Sequence, residues 1–209
     1  MKIEQKKISN AKGWETLKNN SYDAASCNLV LAFGSTSIFE EAGTYKNIRE
    51  YYPNAHIVMS SAAGEIYDTG VNDDIISLTA ICFEKTKIKT AVVQINEMEN
   101  SREAGNALAV ALEPENLKNV LVISDGLKVN GDELIQGLQE CLLEETIITG
   151  GLAGDGSAFK KTLVGLNEPP IEGRIVVIGF YGEISPLFNS LKTELHNQTM
   201  TITTFSENE

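Results

Sequence analysis

Two stretches set small residues and an acid at points where an apolar run ends: Ala63-Gly64-Glu65 in IVMSSAAGEI and Ala153-Gly154-Asp155 in IITGGLAGDG. A carboxylate beside a glycine, where backbone can come close, suits a ligand carrying an ammonium or another cationic group. Two further strand ends, LVLAFGS closing on Ser35 and LVISDGL holding Asp125, supply a hydroxyl and a third acid. Gly150 and Gly151 stand just upstream of the second acid. The candidate ligand-binding set is therefore Ser35, Gly64, Glu65, Asp125, Gly150, Gly151, Gly154 and Asp155, arranged around a cleft between two similar halves. The competing reading is that these glycines serve only the close packing of sheets. Near the C-terminus Glu183, His196 and Asn197 form a second polar group and join the candidate set, although a histidine just before a β-branched strand also suits a hydrogen-bonded edge position.

Other chemistries find no pattern. The spacing of Gly151, Gly154 and Gly156 fits neither dinucleotide nor P-loop glycine signatures, and Asp155 would repel a phosphate. Glu65, Asp68, Asp73 and Asp155 lack the spacing of a calcium loop, and no GxSxG or HExxH motif occurs. Cys27, Cys82 and Cys141 are widely separated, which suits small buried side chains in a reducing compartment. No catalytic constellation, metal site or cofactor is expected; an enzyme using Asp125, Asp155 or His196 as general base, a hydrolase or transferase, is the alternative.

The elements that must carry these residues repeat. NLVLAFGS reads as a buried strand and SIFEEAGTYKNIREYYP as one amphipathic helix, with Ser37 and Glu40 as capping box and Pro53 as stop. HIVMSSAAGEI follows as a strand, and IISLTAICFE with KIKTAVVQI as an antiparallel pair. After a helix at 101–113, NVLVISDGL, a helix capped by Asn130, TIITGGLAGDG, KKTLVGL and GRIVVIGFYGE repeat the order. The spacing from Gly34 to Gly64 is 30 residues and from Gly126 to Gly154 it is 28. The expected fold is a mixed α/β domain of two duplicated β-α-β-β-β units, with sheets stacked and helices outside in an α-β-β-α arrangement, because several strands are apolar on both faces. TMTITTF, 199–205, reads as a last strand that adds to the same sheet or pairs across a homodimer.

The chain has 209 residues, 42% of them hydrophobic, which suffices for a sizeable core. A net charge of −12 disfavours nucleic acid and anionic membrane, and the sequence shows no signal peptide and no run long enough to span a bilayer. A cytoplasmic setting and neutral or cationic partners are expected.

SSAAGEI, ITGGLAGDGSAFKKTLVG with the strand GRIVVIGFYG, and YGEISP with ELHNQTMTITTF together resemble the FIST sensory family. The first two are similar to that family's N-terminal domain over roughly residues 25–182. The last resembles the close of the C-terminal domain of long members, which carry between the two a domain-sized stretch that is not found here. The resemblance implies a cytosolic sensory module that binds small molecules such as amino acids, acts on a signalling protein in trans, and has no established catalysis. A purely structural dimerisation module is a further alternative. The expected organisation is an N-terminal extension with a short helix at 1–27, the duplicated sensory domain at 28–183, and the tail at 184–209.

Overall fold

A computed structural model describes residues 1–9, 13–19, 23–67, 70–182, 184–192 and 199–207. Two sheets lie face to face. The larger contains β1 (Lys2–Ser9), β2 (Gly13–Asn19), β3 (Leu29–Gly34), β4 (His56–Ser61), β7 (Ile75–Cys82) and β11 (Val164–Leu166), in the order β11-β4-β3-β7-β1-β2. The smaller has the order β10-β9-β12-β8, from β8 (Lys87–Gln94), β9 (Leu117–Ser124), β10 (Ile147–Leu152) and β12 (Arg174–Tyr181). Two hairpins stand apart, β5 (Glu65–Tyr67) with β6 (Gly70–Asn72), and β13 (Ile184–Lys192) with β14 (Thr199–Glu207).

Side-chain alternation makes the layers. Leu29, Val58 and Ile81 of the large sheet meet Ile123, Val176, Ile178 and Phe180 of the small one in a shared core between the sheets. The alternate residues Val30, Ala32, Ile57, Met59, Ile76 and Leu78 face α1 (Thr36–Glu40) and α2 (Thr44–Tyr51) through Ile38, Phe39 and Ile48. On the far side Val120, Val122, Ile175 and Val177 pack against α3 (Ser101–Leu112) and α4 (Gly131–Cys141) through Leu108, Leu112, Leu134 and Leu138. The architecture is α-β-β-α, the mixed class that strands apolar on both faces require.

The two halves share a core geometry. β3 and β4 run parallel and β7 lies antiparallel on the other side of β3; β9, β10 and β12 repeat that arrangement. The amide of Ala62 donates to the Gly34 carbonyl at 3.0 Å and the amide of Ala153 to the Ser124 carbonyl at 2.8 Å, so Gly34 matches Ser124 and Ala62 matches Ala153. This register differs by one residue from the textual match of Ala63-Gly64-Glu65 with Ala153-Gly154-Asp155: the geometric partner of Asp155 is Gly64.

Several expected elements differ. β7 and β8 do not pair with each other, because β1 and β3 already occupy both edges of β7; the chain crosses between sheets at Phe83–Thr86 and β8 joins β12. β11 crosses the other way and joins β4. The single helix expected after Ser37 is two helices, since Gly43 takes φ 96° between them, and the cap is Ser35, whose Oγ accepts from the Ile38 amide at 3.4 Å. In the first 27 residues the helical turn is a 3-10 turn at Ala24–Ser26, while β1 and β2 form a hairpin that extends the large sheet. Inside that hairpin Glu4 and Lys6 are buried and pair at 3.1 Å, and the Tyr52 hydroxyl donates to Glu4 at 2.6 Å. Residues 199–205 pair with β13.

Candidate ligand site

The parallel strands β3 and β4 end side by side, and their exits turn away into α1 and into the loop before β5. An opening at the carboxyl ends of parallel strands follows from that divergence. Here it is a cavity of about 310 Å³ lined by Ser35, Thr36, Ser37, Ala62, Ala63, Gly64, Glu65, Asp73, Asp74, Asp155 and Gly156. Four of the expected residues, Ser35, Gly64, Glu65 and Asp155, thus line one space. The second half contributes through a direct contact between loops: the Gly154 amide donates to the Ser61 carbonyl at 3.0 Å.

Glu65 is the unusual group. It is 2% exposed, and neither carboxylate oxygen has a hydrogen-bond partner of ordinary geometry. Burial pushes its pKa up to about 7, the negative charge of Asp73 adds to the rise and Asp74 adds a little more, while the Ile75 amide offsets only part of it. A carboxylate kept dry and without a partner is costly unless something else supplies the countercharge. Ser35 and Ser37 also line the cavity, with their hydroxyl oxygens 2.9 Å apart, and Ser37 reaches towards Asp74 at 3.5 Å.

Asp155 serves a different purpose. Its Oδ1 accepts from the Phe159 amide at 3.0 Å, and its Oδ2 from the amides of Lys160 at 2.6 Å and Lys161 at 2.9 Å. Those donors hold its pKa below the ordinary carboxylate range, so it is a fixed negative charge at the rim. The loop it closes is also tied to the first half, where the Lys161 ammonium meets Glu40 at 2.5 Å and its carbonyl accepts from Thr36 at 3.3 Å.

The remaining expected residues lie elsewhere. Asp125 is fully buried and does not line the cavity; Oδ1 accepts from the amides of Leu127 and Lys128, each at 2.8 Å, and Oδ2 from the Gly173 amide at 2.7 Å. A carboxylate at a strand end with adjacent amides curling over it forms an Asx turn, and this chemistry consumes the acid that the sequence pattern assigned to the ligand. Gly150 and Gly151 belong to β10 and border other clefts. Gly150 has φ 149°, and a Cβ there would lie 1.9 Å from the Val122 carbonyl oxygen, so its glycine is required by the close approach of β9. Glu183, His196 and Asn197 lie outside the described residues.

Sequence reasoning missed Thr36, Ser37, Asp73 and Asp74 as wall residues. Asp73 and Asp74 form the bend between β6 and β7; the available signal was that β7 must return beside β3, which places that bend next to Ser35. Among the described residues no cluster of three or more His, Cys, Asp or Glu side chains is placed to hold a metal ion, and no helix is long and apolar enough to cross a membrane.

Residues 28–209, most of the chain, match the FIST N domain. A comparison with curated proteins finds no match. The coverage of that domain match establishes the family: the protein belongs to the FIST family, a family of signal-transduction sensory domains.

Proposed function

We propose that this chain is a cytoplasmic sensory module whose small ligand, an amino acid or a related amine-bearing metabolite, binds in the cavity of Ser35, Gly64, Glu65 and Asp155. One observation carries the reading: Glu65 is a buried carboxylate without a hydrogen-bond partner of ordinary geometry, in the wall of a cavity of about 310 Å³. A ligand ammonium supplies the missing partner, with Asp155 as second negative charge and the hydroxyls of Ser35 and Ser37 as neutral contacts. The signal passes to a signalling protein in trans. The two strand cores derive from an internal duplication, a reading supported by their common strand order and register.

The ligand binds the ionised form of Glu65, so its affinity rises as pH increases through about 7, the region where that carboxylate titrates. A thermal-shift screen of amino acids and simple amines at pH 8, followed by calorimetry at pH 6 and pH 8, tests this. A ligand at 100 times its Kd stabilises the protein by about 2.7 kcal/mol. The expected result is a hit that weakens at pH 6 and is lost in Glu65→Gln. A hit that Glu65→Gln leaves unchanged, or a screen without hits, contradicts the site. Chemical conversion of the bound compound would move the reading to the alternative, a hydrolase or transferase that uses a carboxylate in the cleft.

A further inference from the structure

β10 is an edge strand, and its open side has a counterpart in the other half of the molecule that is covered. In the large sheet the Ile57 carbonyl accepts from Asn167 and the Ser61 amide donates to the Leu163 carbonyl, both at 2.8 Å, where β11 pairs with β4. By the register that matches Ala62 with Ala153, the equivalents of Ile57, Met59 and Ser61 are Ile148, Gly150 and Leu152. The Ala153 amide bonds to β9, so strand alternation directs the backbone groups of these three residues away from β9, towards the open edge. Among the described residues no strand pairs with that edge.

The other edges of the two stacked sheets are protected. β2 carries Glu15 and Lys18, β8 carries Lys87 and Lys89, and β11 has three residues with its outer side bonded to Ile171. β10 has six residues, IITGGL, without a charge or a proline, and Leu152 is 55% exposed. Open space of about 580 Å³ runs along it on the α4 side, and of about 370 Å³ on the side of the large sheet.

We propose that the occupant of this edge is β10 of a second copy of the chain, paired antiparallel about a twofold axis through Gly150. This alignment sets Ile148 opposite Leu152 and Gly150 opposite its own copy. Every outward amide and carbonyl of the three residues is then satisfied by the partner, which a shift in register would not achieve. The two apolar pairs lie on the α4 face, and Thr149 stands opposite Gly151 on the other face. The small sheet becomes one eight-stranded sheet across the dimer. The proposal is independent of the ligand site.

Light scattering after size exclusion, run over a wide range of concentration on the full chain, reads the mass. The expected result is a species of twice 22.7 kDa. Leu152→Glu sets a charge opposite Ile148 in both apolar pairs and returns the monomer, whereas Val92→Glu on the β8 edge leaves the dimer intact. Circular dichroism checks that both variants are folded. Mild oxidation of a mixture of Thr149→Cys and Gly151→Cys chains gives a cross-linked dimer, because residues opposite each other at a non-hydrogen-bonded antiparallel site lie within disulfide reach. Each variant alone does not cross-link beyond the wild-type background from the native cysteines. A monomer at every concentration overturns the proposal, as does a dimer that folded Leu152→Glu leaves intact or that fails to cross-link in the mixture.

Discussion

The two halves build the same strand core and use their strand ends in opposite ways. After β9 and β10 the acids are consumed internally: Asp125 accepts three backbone amides and Asp155 accepts three more. At the matching positions after β3 and β4 stand Ser35 and Gly64, which carry no charge, and the acid comes one residue later as Glu65, buried and without a hydrogen-bond partner of ordinary geometry. A single-residue offset thus separates a locked loop from a chemically unsatisfied one. The cost of an acid at a strand end depends on whether backbone amides converge on it, and only the second half supplies them.

Removing the strongest internal use of an acid is the largest test of this contrast. Asp125→Ala leaves three buried or half-buried amides without their acceptor, one of them on Gly173, 48 positions away. The expected loss is roughly 3–5 kcal/mol in urea unfolding, with Asp125→Asn milder because one acceptor oxygen remains. A loss no greater than that of an exposed acid would end the distinction between the halves.

Glu65→Gln acts in the other direction. The unfolded side chain titrates near 4.5 and the folded one near 7. Between these values the native state retains a proton that the unfolded state has released, so stability falls as pH rises, and above 7 the penalty is complete. A tenfold difference in proton affinity between the two states is worth about 1.36 kcal/mol. In the absence of ligand Glu65→Gln is therefore expected to stabilise the protein by on the order of 3 kcal/mol at pH 8 and by nothing once pH falls below 4.5. Melting curves of both proteins across this range read it directly. Equal melting temperatures at pH 8 would mean that burial does not hold Glu65 above the ordinary carboxylate range.

What the sequence reveals of this contrast depends on the range of the interactions. Asn130 announced α4 because a cap acts within one turn, and its Oδ1 accepts from Asp132 and Glu133. The apolar runs of β3, β4, β9 and β10, apolar on both faces, announced stacked sheets between outer helices. The exchange of β8 and β11 between sheets stayed hidden because both pairings join distant segments, and nothing in KIKTAVVQ distinguishes β7 from β12 as neighbour. β1 was missed for a local reason: KIEQKKIS alternates charge where a half-buried strand alternates apolar residues, and its inward charges Glu4 and Lys6 satisfy one another only once Tyr52 folds over them. In the candidate site, the four residues that line one cavity, Ser35, Gly64, Glu65 and Asp155, were legible from their types and from the repeat. Asp125 misled because a buried acid serving backbone amides and an acid serving a ligand look alike in one dimension.

The smallest global effect is expected from Asp155, and it separates loop closure from ligand contact. Its carboxylate is half exposed at the cavity rim and holds residues 159–161 by their amides, so Asp155→Ala should change the melting temperature less than either substitution above. Because its folded pKa is depressed, the stability it contributes is present above the unfolded value of about 3.8 and is lost as pH falls through the lower folded one. The wild-type advantage over the variant therefore shrinks only as pH falls below about 3.8, the reverse of the Glu65 profile. Hydrogen exchange at Phe159, Lys160 and Lys161 should accelerate several-fold in the variant while the amides of β9 and β12 stay protected. Ligand affinity should weaken more than stability does, because the variant removes a rim charge and loosens the loop that carries Gly156. Unchanged affinity with accelerated exchange would confine Asp155 to loop closure and leave the ammonium to Glu65 alone.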